Sequence, residues 1–281
     1  MIDYHLHTLF CNHASGSMEQ YIRSAAALGF EEICFLDHLT VQAAEKGLSM
    51  TVEEIPYYFQ AARVLKQKYR HTLRIKVGLE IDFNPDHTGL FQEVAGTYAF
   101  DVIAAGLHFP GGVDVVSRRS AWGFGEKDTD DVYGLYFDAL EKMLDHTYFD
   151  VICHIDLVKK FGRKPSRSFD GTVDDILSKI KEKNLTVEVN TSGFNHPVQT
   201  PYPSVDMIRK CHEKGISITL GSDAHKPGDV GQHYQRALPM ILSAGYRHLA
   251  TFTKRKRTEI PIKKIENIHY SNEVTDSNAS K

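Results

Sequence analysis

Six short apolar runs in this chain end in histidine or carboxylate. His5 and His7 close the first, and Asp37-His38 closes the second. Glu80 lies in Gly78-Leu79-Glu80-Ile81-Asp82, His108 and His154 follow the next two, and Gly221-Ser222-Asp223-Ala224-His225 closes a later one. In extended backbone, residues i and i+2 share a face. His5 and His7 therefore converge on one point, as do Asp223 and His225. Neutral imidazole and carboxylate are ligands for Zn²⁺, Mn²⁺ or Fe²⁺. These donors (His5, His7, His38, Glu80, His108, His154, Asp223 and His225) are too many for one ion. They suit two or three, with Glu80 as the bridge. His13, in the loop after His7, is a further donor. A lone histidine at a strand end is usually structural, so the joint pattern is what points to a metal centre.

Two or three divalent ions bring about four to six positive charges, against two negative charges from Glu80 and Asp223. Such a pocket attracts a dianion and acidifies water near neutral pH. A metal-bridging hydroxide facing phosphorus then gives in-line phosphoester hydrolysis, though the donors alone suit amides and lactones equally and it is the next basic loop that tips the balance to phosphate. The loop after His154 supplies Lys159, Lys160, Arg163, Lys164 and Arg167. Phosphate oxygens want such donors, and Lys160 and Arg163 are the choices, with Arg118 and Arg119 as rivals. Glu80, Asp223 and His225 form the expected catalytic set, and Asp223 or a metal-held water protonates the leaving alkoxide. Asn190 ends a strand and either contacts substrate or braces a ligand. Cys153, adjacent to His154 in a strand, is expected to face away from the site, while Cys11 stays open.

These donors need elements that bring them to one end of a fold. Strands are read at Met1 to His7, Glu32 to Asp37, Leu73 to Ile81, Asp101 to Leu107, Phe149 to His154, Leu185 to Asn190, Ile216 to Gly221 and Arg247 to Phe252. Helices are read at Ser17 to Leu28, Val52 to Tyr69, Thr129 to Asp145, Val173 to Lys183, Ser204 to Lys214 and Val230 to Ala244. Ser17 with Gln20 makes a capping box, and Gly29, Gly215 and Gly245 sit where helices end. Strand then helix, repeated seven or eight times, predicts an α/β fold with a parallel sheet, closed into a barrel, with an open doubly wound sheet as the alternative. The C-terminal face of such a barrel is where active sites are built. Long loops are expected over 109–128 and 155–171.

The chain has 281 residues, with 42% hydrophobic and 25% charged, which is globular and fits one domain. The net charge of −3 argues against a general nucleic-acid binder. Lys254-Arg255-Lys256-Arg257 is the one cationic cluster and reads as a solvated or phosphate-gripping edge. Four cysteines make no disulfide scaffold and suit a cytoplasmic protein. No signal peptide and no membrane-length apolar run is read. The expected partner is a small-molecule phosphomonoester, with no nucleic acid and no membrane; a homodimer is allowed for. The stretch 271–281 reads as a polar tail after a domain over 1–270.

The ordered set His5-Leu6-His7-Thr8 with His13, Leu36-Asp37-His38, Gly78-Leu79-Glu80, His108, His154 and Gly221-Ser222-Asp223-Ala224-His225 resembles the PHP family, named for polymerase and histidinol phosphatase. The resemblance implies a distorted, seven-stranded (β/α)7-type TIM-like barrel with three metals. It assigns His5, His7, Glu80 and Asp223 to one ion, Glu80, His108 and His154 to a second, and His13, His38 and His225 to a third. Within the family the chain is most similar to the stand-alone histidinol-phosphatases of histidine biosynthesis. His108-Phe109, Trp122-Gly123-Phe124, the run His154 to Gly162, Glu188-Val189-Asn190-Thr191-Ser192-Gly193 and Pro201-Tyr202-Pro203-Ser204 carry that similarity. It implies hydrolysis of L-histidinol phosphate, with Phe109, Trp122, Phe194 and Asp156 available to the ammonium and imidazole. One departure is visible. After Thr-Ser-Gly that subgroup commonly carries a basic residue, and this chain has Phe194-Asn195-His196, which passes the role to His196 or to the Lys160 loop, or else points to a different substrate. Other readings are a PHP phosphoesterase acting on nucleotides, phosphotyrosine or a DNA end, a catalytically silent regulatory relative, and a metal-dependent amidohydrolase. The last lacks a strand-end lysine.

Overall fold

The computed structural model describes residues 1–41 and 47–263. The 271–281 tail and the end of the proposed 1–270 domain lie outside the described residues. Seven parallel strands form one sheet in sequence order: β1 (Ile2–Leu6), β2 (Glu32–Leu39), β3 (Arg74–Asp82), β4 (Val102–Gly106), β5 (Val151–Ile152), β6 (Thr186–Asn190) and β7 (Ile218–Gly221). The sheet curls until β7 meets β1. There Leu6 bridges Ala224, with His7 N donating to Ala224 O at 3.0 Å and Ala224 N to His5 O at 3.2 Å. This is a nearly closed seven-stranded barrel in a single domain.

Helices α1 (Met18–Ala27), α2 (Ile55–Lys68), α3 (Thr88–Thr97), α4 (Thr129–Met143), α5 (Asp170–Glu182), α6 (Val205–Glu213) and α7 (Tyr234–Ser243) follow their strands. The Ser17–Gln20 capping box at the start of α1 is formed. Strand side chains such as Leu6, Ile33 and Phe35 are fully buried in a continuous apolar core, while Tyr4 reaches the base of the barrel and donates to Glu32 there. Inward side chains include the polar residues of the site. The β2–β3 register sets His38 level with Glu80.

Three departures from the sequence reading have physical causes. The run near Arg247 to Phe252 does not join the barrel. It forms β8 (His248–Thr253), antiparallel to β9 (Lys256–Pro261). That hairpin lies across the N-terminal ends of the strands, opposite the His and carboxylate end. Tyr4 Oη accepts from Phe252 N at 2.7 Å, and Lys76 Nζ donates to Thr253 Oγ1 at 2.5 Å. Arg255 pairs with Asp150 and donates to Tyr148 O at 2.6 Å, and Arg257 Nη1 donates to Asn184 O at 2.9 Å. The cationic cluster therefore fastens the base of the barrel. Second, α3 is absent from the sequence reading, because Gly89 and Gly96 lower its helix propensity; burial of Phe91, Val94 and Ala95 overrides that preference. Third, β5 is only two residues long, because His154 takes a left-handed φ of 27° and ends it.

Candidate metal centre

All nine expected donors come together at the C-terminal end of the barrel. Glu80, fully buried, stands between two histidine groups. Its Oε1 lies 2.7 Å from His154 Nε2 and 3.5 Å from His108 Nε2. Its Oε2 lies 2.8 Å from His38 Nδ1 and 3.3 Å from His5 Nε2. Asp223 Oδ1 approaches His7 Nε2 at 2.9 Å. His13 and His225 complete the group at the rim, and the His225 ring stacks 4.0 Å from that of His7. Ligand atoms of His5, His7 and Glu80 lie within 4.8 Å of one another, as do those of His7, His38 and His225.

Hydrogen bonding fixes the tautomers. His13 Nδ1 lies 2.8 Å from Cys11 O, and His225 Nδ1 lies 3.0 Å from Asp223 O. A carbonyl only accepts, so each Nδ1 carries the proton. Burial, followed by the charge of neighbouring His7, holds the pKa of His225 well below the usual histidine value, and burial lowers that of His13. Both rings are thus neutral, with a bare lone pair at Nε2. Those two Nε2 atoms face each other at 3.0 Å. Two lone pairs at that distance repel unless a cation sits between them, so the residues fit a divalent ion.

The same logic holds deeper in the barrel. His5 Nδ1 is 2.6 Å from Glu188 Oε1, His108 Nδ1 is 3.2 Å from Asp82 Oδ1, and His7 Nδ1 is 3.4 Å from Asp37 Oδ1. The three Nε2 atoms then point at oxygens of Glu80 and Asp223. Burial acts to raise both of those carboxylates, but the surrounding histidines hold each well below its ordinary pKa, so both are ionised. Burial acts to lower His5 and His7, yet carboxylate charge wins: Glu188 drives His5 up, and Asp223 and Asp37 push His7 up to about 9. The proton that this excess negative charge would hold is what a divalent ion displaces.

Glu188, Asp82 and Asp37 orient the ligands, a role the sequence reading does not assign them. The signal is present for two of them: Glu188 shares a strand face with Asn190, and Asp82 shares one with Glu80. Gly221 makes room for the first pair, since a Cβ there would lie 2.3 Å from Glu188 Oε1 and 2.6 Å from His5 Cβ. Asp3 ties β1 to the loop that carries Asp223, accepting from Ser222 N and Gly231 N, each at 2.9 Å. Cys153 faces inward, contrary to the strand-alternation reading. Its Sγ joins ligand atoms of His5 and Glu188 within 4.8 Å, because the left-handed His154 interrupts the alternation. Cys11 is buried, with Sγ donating to Thr8 O at 3.1 Å.

Above the donors opens a cavity of about 510 Å³. Of the expected substrate contacts, Lys160, His196 and Phe109 line it. Asn190 sits below, donating from Nδ2 to Asp223 Oδ2 at 3.3 Å, beside Ser192 Oγ, which donates to the same oxygen at 3.1 Å. Arg163 and Trp122 do not line the cavity. Trp122 is fully buried, and the Arg163 guanidinium stacks on its indole at 4.6 Å while donating to the carbonyls of Trp122 and Gly123. Asp156 is also committed elsewhere, to Lys159 at 2.7 Å and Ser204 N at 2.9 Å. Phe194 is buried beneath the Arg236 guanidinium, 4.0 Å from its ring centre.

Comparison with known proteins follows the same direction. The family model described as PHP domain matches residues 3–192. A probable histidinol-phosphatase of Deinococcus radiodurans is 32% identical over 267 residues, covering 91% of this chain and 98% of the relative. The histidinol-phosphatase of Bacillus subtilis is 30% identical over 265 residues, covering 84% and 97%. A crystal structure of histidinol phosphate phosphatase from Lactococcus lactis, complexed with Zn, L-histidinol and phosphate, superposes with a TM-score of 0.80 at 24% identity, covering 92% of this chain and 98% of that one, which supports the fold.

Proposed function

The chain belongs to the PHP family, and from that premise we propose that it is a metal-dependent phosphatase that hydrolyses L-histidinol phosphate to L-histidinol and phosphate. The observation that carries this reading is the converged donor set, with Glu80 between two histidine groups and bare nitrogens on His13 and His225. His5, His7, Glu80 and Asp223 would hold one ion, Glu80, His108 and His154 a second, and His13, His38 and His225 a third. Zn, Mn and Fe all suit this mixed imidazole and carboxylate set, and Zn is the ion in the L. lactis complex. When bound, such ions supply positive charge to the phosphoryl oxygens and acidify the attacking water.

This chain's side chains do the rest. Lys160 is partly buried at the cavity wall, and its ammonium makes no hydrogen bond among the described residues, so it is free for a phosphate oxygen. Burial, with the nearby charge of Lys160, lowers His196 to about 4, so His196 is neutral at pH 7. The cationic share left open by Phe194-Asn195-His196 therefore falls on Lys160. Asp223, ionised and held at Oδ2 by Asn190 and Ser192, presents Oδ1 to take the attacking water's proton and return it to the leaving alkoxide. With Asp156 committed, Asp229 and Asp114 at the cavity wall are the acceptors for the substrate ammonium. Phe109 and Leu157 offer apolar surface to the imidazole.

All nine proposed donors lie on this one chain. Its four cysteines are free and buried, which supports a reducing compartment, and we read the protein as cytoplasmic. Among the described residues, no helix is long and apolar enough to cross a membrane.

The test is phosphate release by protein loaded with Mn²⁺ or Zn²⁺, with L-histidinol phosphate compared against nucleoside monophosphates and p-nitrophenyl phosphate. Preference for L-histidinol phosphate, abolished by chelator, is the expected result. Equal or better turnover of the nucleotides would sink the substrate assignment.

A further inference from the structure

Arg163, expected from sequence at the substrate phosphate, has a geometry that gives it a different task. Among the pieces of chain that line the cavity, two meet at Arg163. One is the loop over 113–125, which contributes Asp114, Val116 and Ser117. The other is the single-turn segment Leu157–Phe161, which contributes Leu157 and Lys160. The 113–125 loop is tightly folded. Asp114 Oδ1 accepts from Val116 N and Ser117 N, each at 2.9 Å, and Ser120 Oγ accepts from Gly123 N at 2.9 Å. A Cβ at Gly123 would lie 2.4 Å from Ser117 O, so the loop doubles back with no room to spare.

Arg163 joins these pieces. Nη1 donates to Trp122 O and Nη2 to Gly123 O at 2.9 Å, while the guanidinium plane covers the Trp122 indole at 4.6 Å. The other side of Arg163 is anchored as well, since Arg163 O accepts from Tyr133 Oη on α4 at 2.8 Å. Lys160, three residues earlier, has its own carbonyl accepting from Val198 N at 3.3 Å. The Lys160 ammonium has no hydrogen-bond partner among the described residues, so its position over the centre is set by the backbone of this short segment.

We propose that Arg163 is a positioning residue. Its clasp on Trp122 and Gly123 sets the width of the cavity mouth and holds Lys160 where a substrate phosphate must bind. The inference rests on the phosphatase reading for its substrate, but not for its structural readout.

Trp122 is the chain's single tryptophan, so emission excited selectively at the indole, away from the 13 tyrosines, reports the surroundings of this clasp. In the full-length holoenzyme, R163A is expected to shift Trp122 emission to longer wavelength as water reaches the indole. It is also expected to raise KM for L-histidinol phosphate and Ki for inorganic phosphate by about tenfold, with a smaller change in kcat. R163K keeps the charge and stem but loses the two-pronged grip, and should fall between. The decisive comparison is a double-mutant cycle with K160A. If Arg163 acts through Lys160, R163A adds little once Lys160 is gone. Unchanged emission and KM in R163A, or losses that multiply in the double variant, overturns the proposal. If R163A does not fold, R163K in the same cycle decides between the same two outcomes. If wild-type protein does not cleave L-histidinol phosphate, the function reading fails, while emission and inorganic-phosphate affinity still decide the clasp.

Discussion

His5 is held at Nδ1 by Glu188 Oε1, 2.6 Å away, and the same carboxylate accepts from His154 N at 3.0 Å through its other oxygen. One carboxylate thus orients two metal-ligand candidates. An amide in its place would turn an NH2 group against a donor whichever way round it sat, because Asn190 Nδ2 also donates to Oε2, at 3.2 Å. E188Q should therefore lose about 10- to 100-fold in metal affinity. Metal content after dialysis against graded chelator measures this, and full retention of metal would refute the orienting role.

Removal of divalent ions should abolish phosphate release and lower thermal stability. The bare Nε2 atoms of His13 and His225, 3.0 Å apart, repel in the stripped protein. A ligand at a hundredfold excess over its Kd contributes about 2.7 kcal/mol. For a chain of this size that corresponds to a Tm change of roughly 5 °C. Calorimetry with and without chelator tests it, and readdition of Zn²⁺ or Mn²⁺ should restore both properties.

The pH dependence should reveal Lys160. Burial lowers its pKa from the ordinary lysine value, against the pull of Asp223 and Asp114. The protonated form is the one that binds phosphate. Affinity should therefore fall as pH rises, with a limb in kcat/KM that begins below the ordinary lysine range. K160R, whose guanidinium stays charged throughout, should flatten that limb while keeping phosphate affinity. A limb unchanged in K160R would assign it to another group.

Asp229 should discriminate amino-bearing substrates. Its carboxylate faces the cavity, half-buried, and receives no side-chain hydrogen bond among the described residues. D229N should raise KM for L-histidinol phosphate by about 10- to 100-fold, the loss of one charged hydrogen bond. Turnover of p-nitrophenyl phosphate, which has no ammonium, should stay within a factor of about two. Equal losses on both substrates would assign Asp229 to the structure of the loop rather than to recognition.

The base of the barrel should be separable from its chemistry. Arg255 pairs with Asp150 and donates to Tyr148 O at 2.6 Å, at the end opposite the donors. R255A should cost about 2 kcal/mol of stability, measured by denaturant midpoint, and leave kcat unaltered.

The donors are legible in the sequence because extended backbone has a period of two and strand ends share one face of a barrel. The rule applies to His5 and His7, and it reaches Asp82 from Glu80. It fails at Cys153, where it must be carried through His154, a residue whose left-handed φ no local pattern announces. Arg163 misleads for another reason. Its charge and its lysine neighbours suit phosphate, but its partners, Trp122 and Gly123, lie some 40 residues away in sequence. Which way a long cation turns is decided by such distant pairing. The β8–β9 hairpin is half legible: apolar residues mark β8, whereas β9 is mostly exposed and charged and owes its strand to pairing with β8.

That hairpin sets a timetable for the ribosome. Tyr4, in the first strand, receives the Phe252 amide, and the two residues are 248 positions apart. At roughly 5–20 residues per second, β1 waits on the order of 12–50 s for the segment that seals its lower end. Closure against Ala224 comes only shortly before. Throughout that interval the apolar faces of the early strands are synthesised without their final cover. Any folding of the barrel before release from the ribosome must therefore proceed without the contact that joins its first strand to its last hairpin.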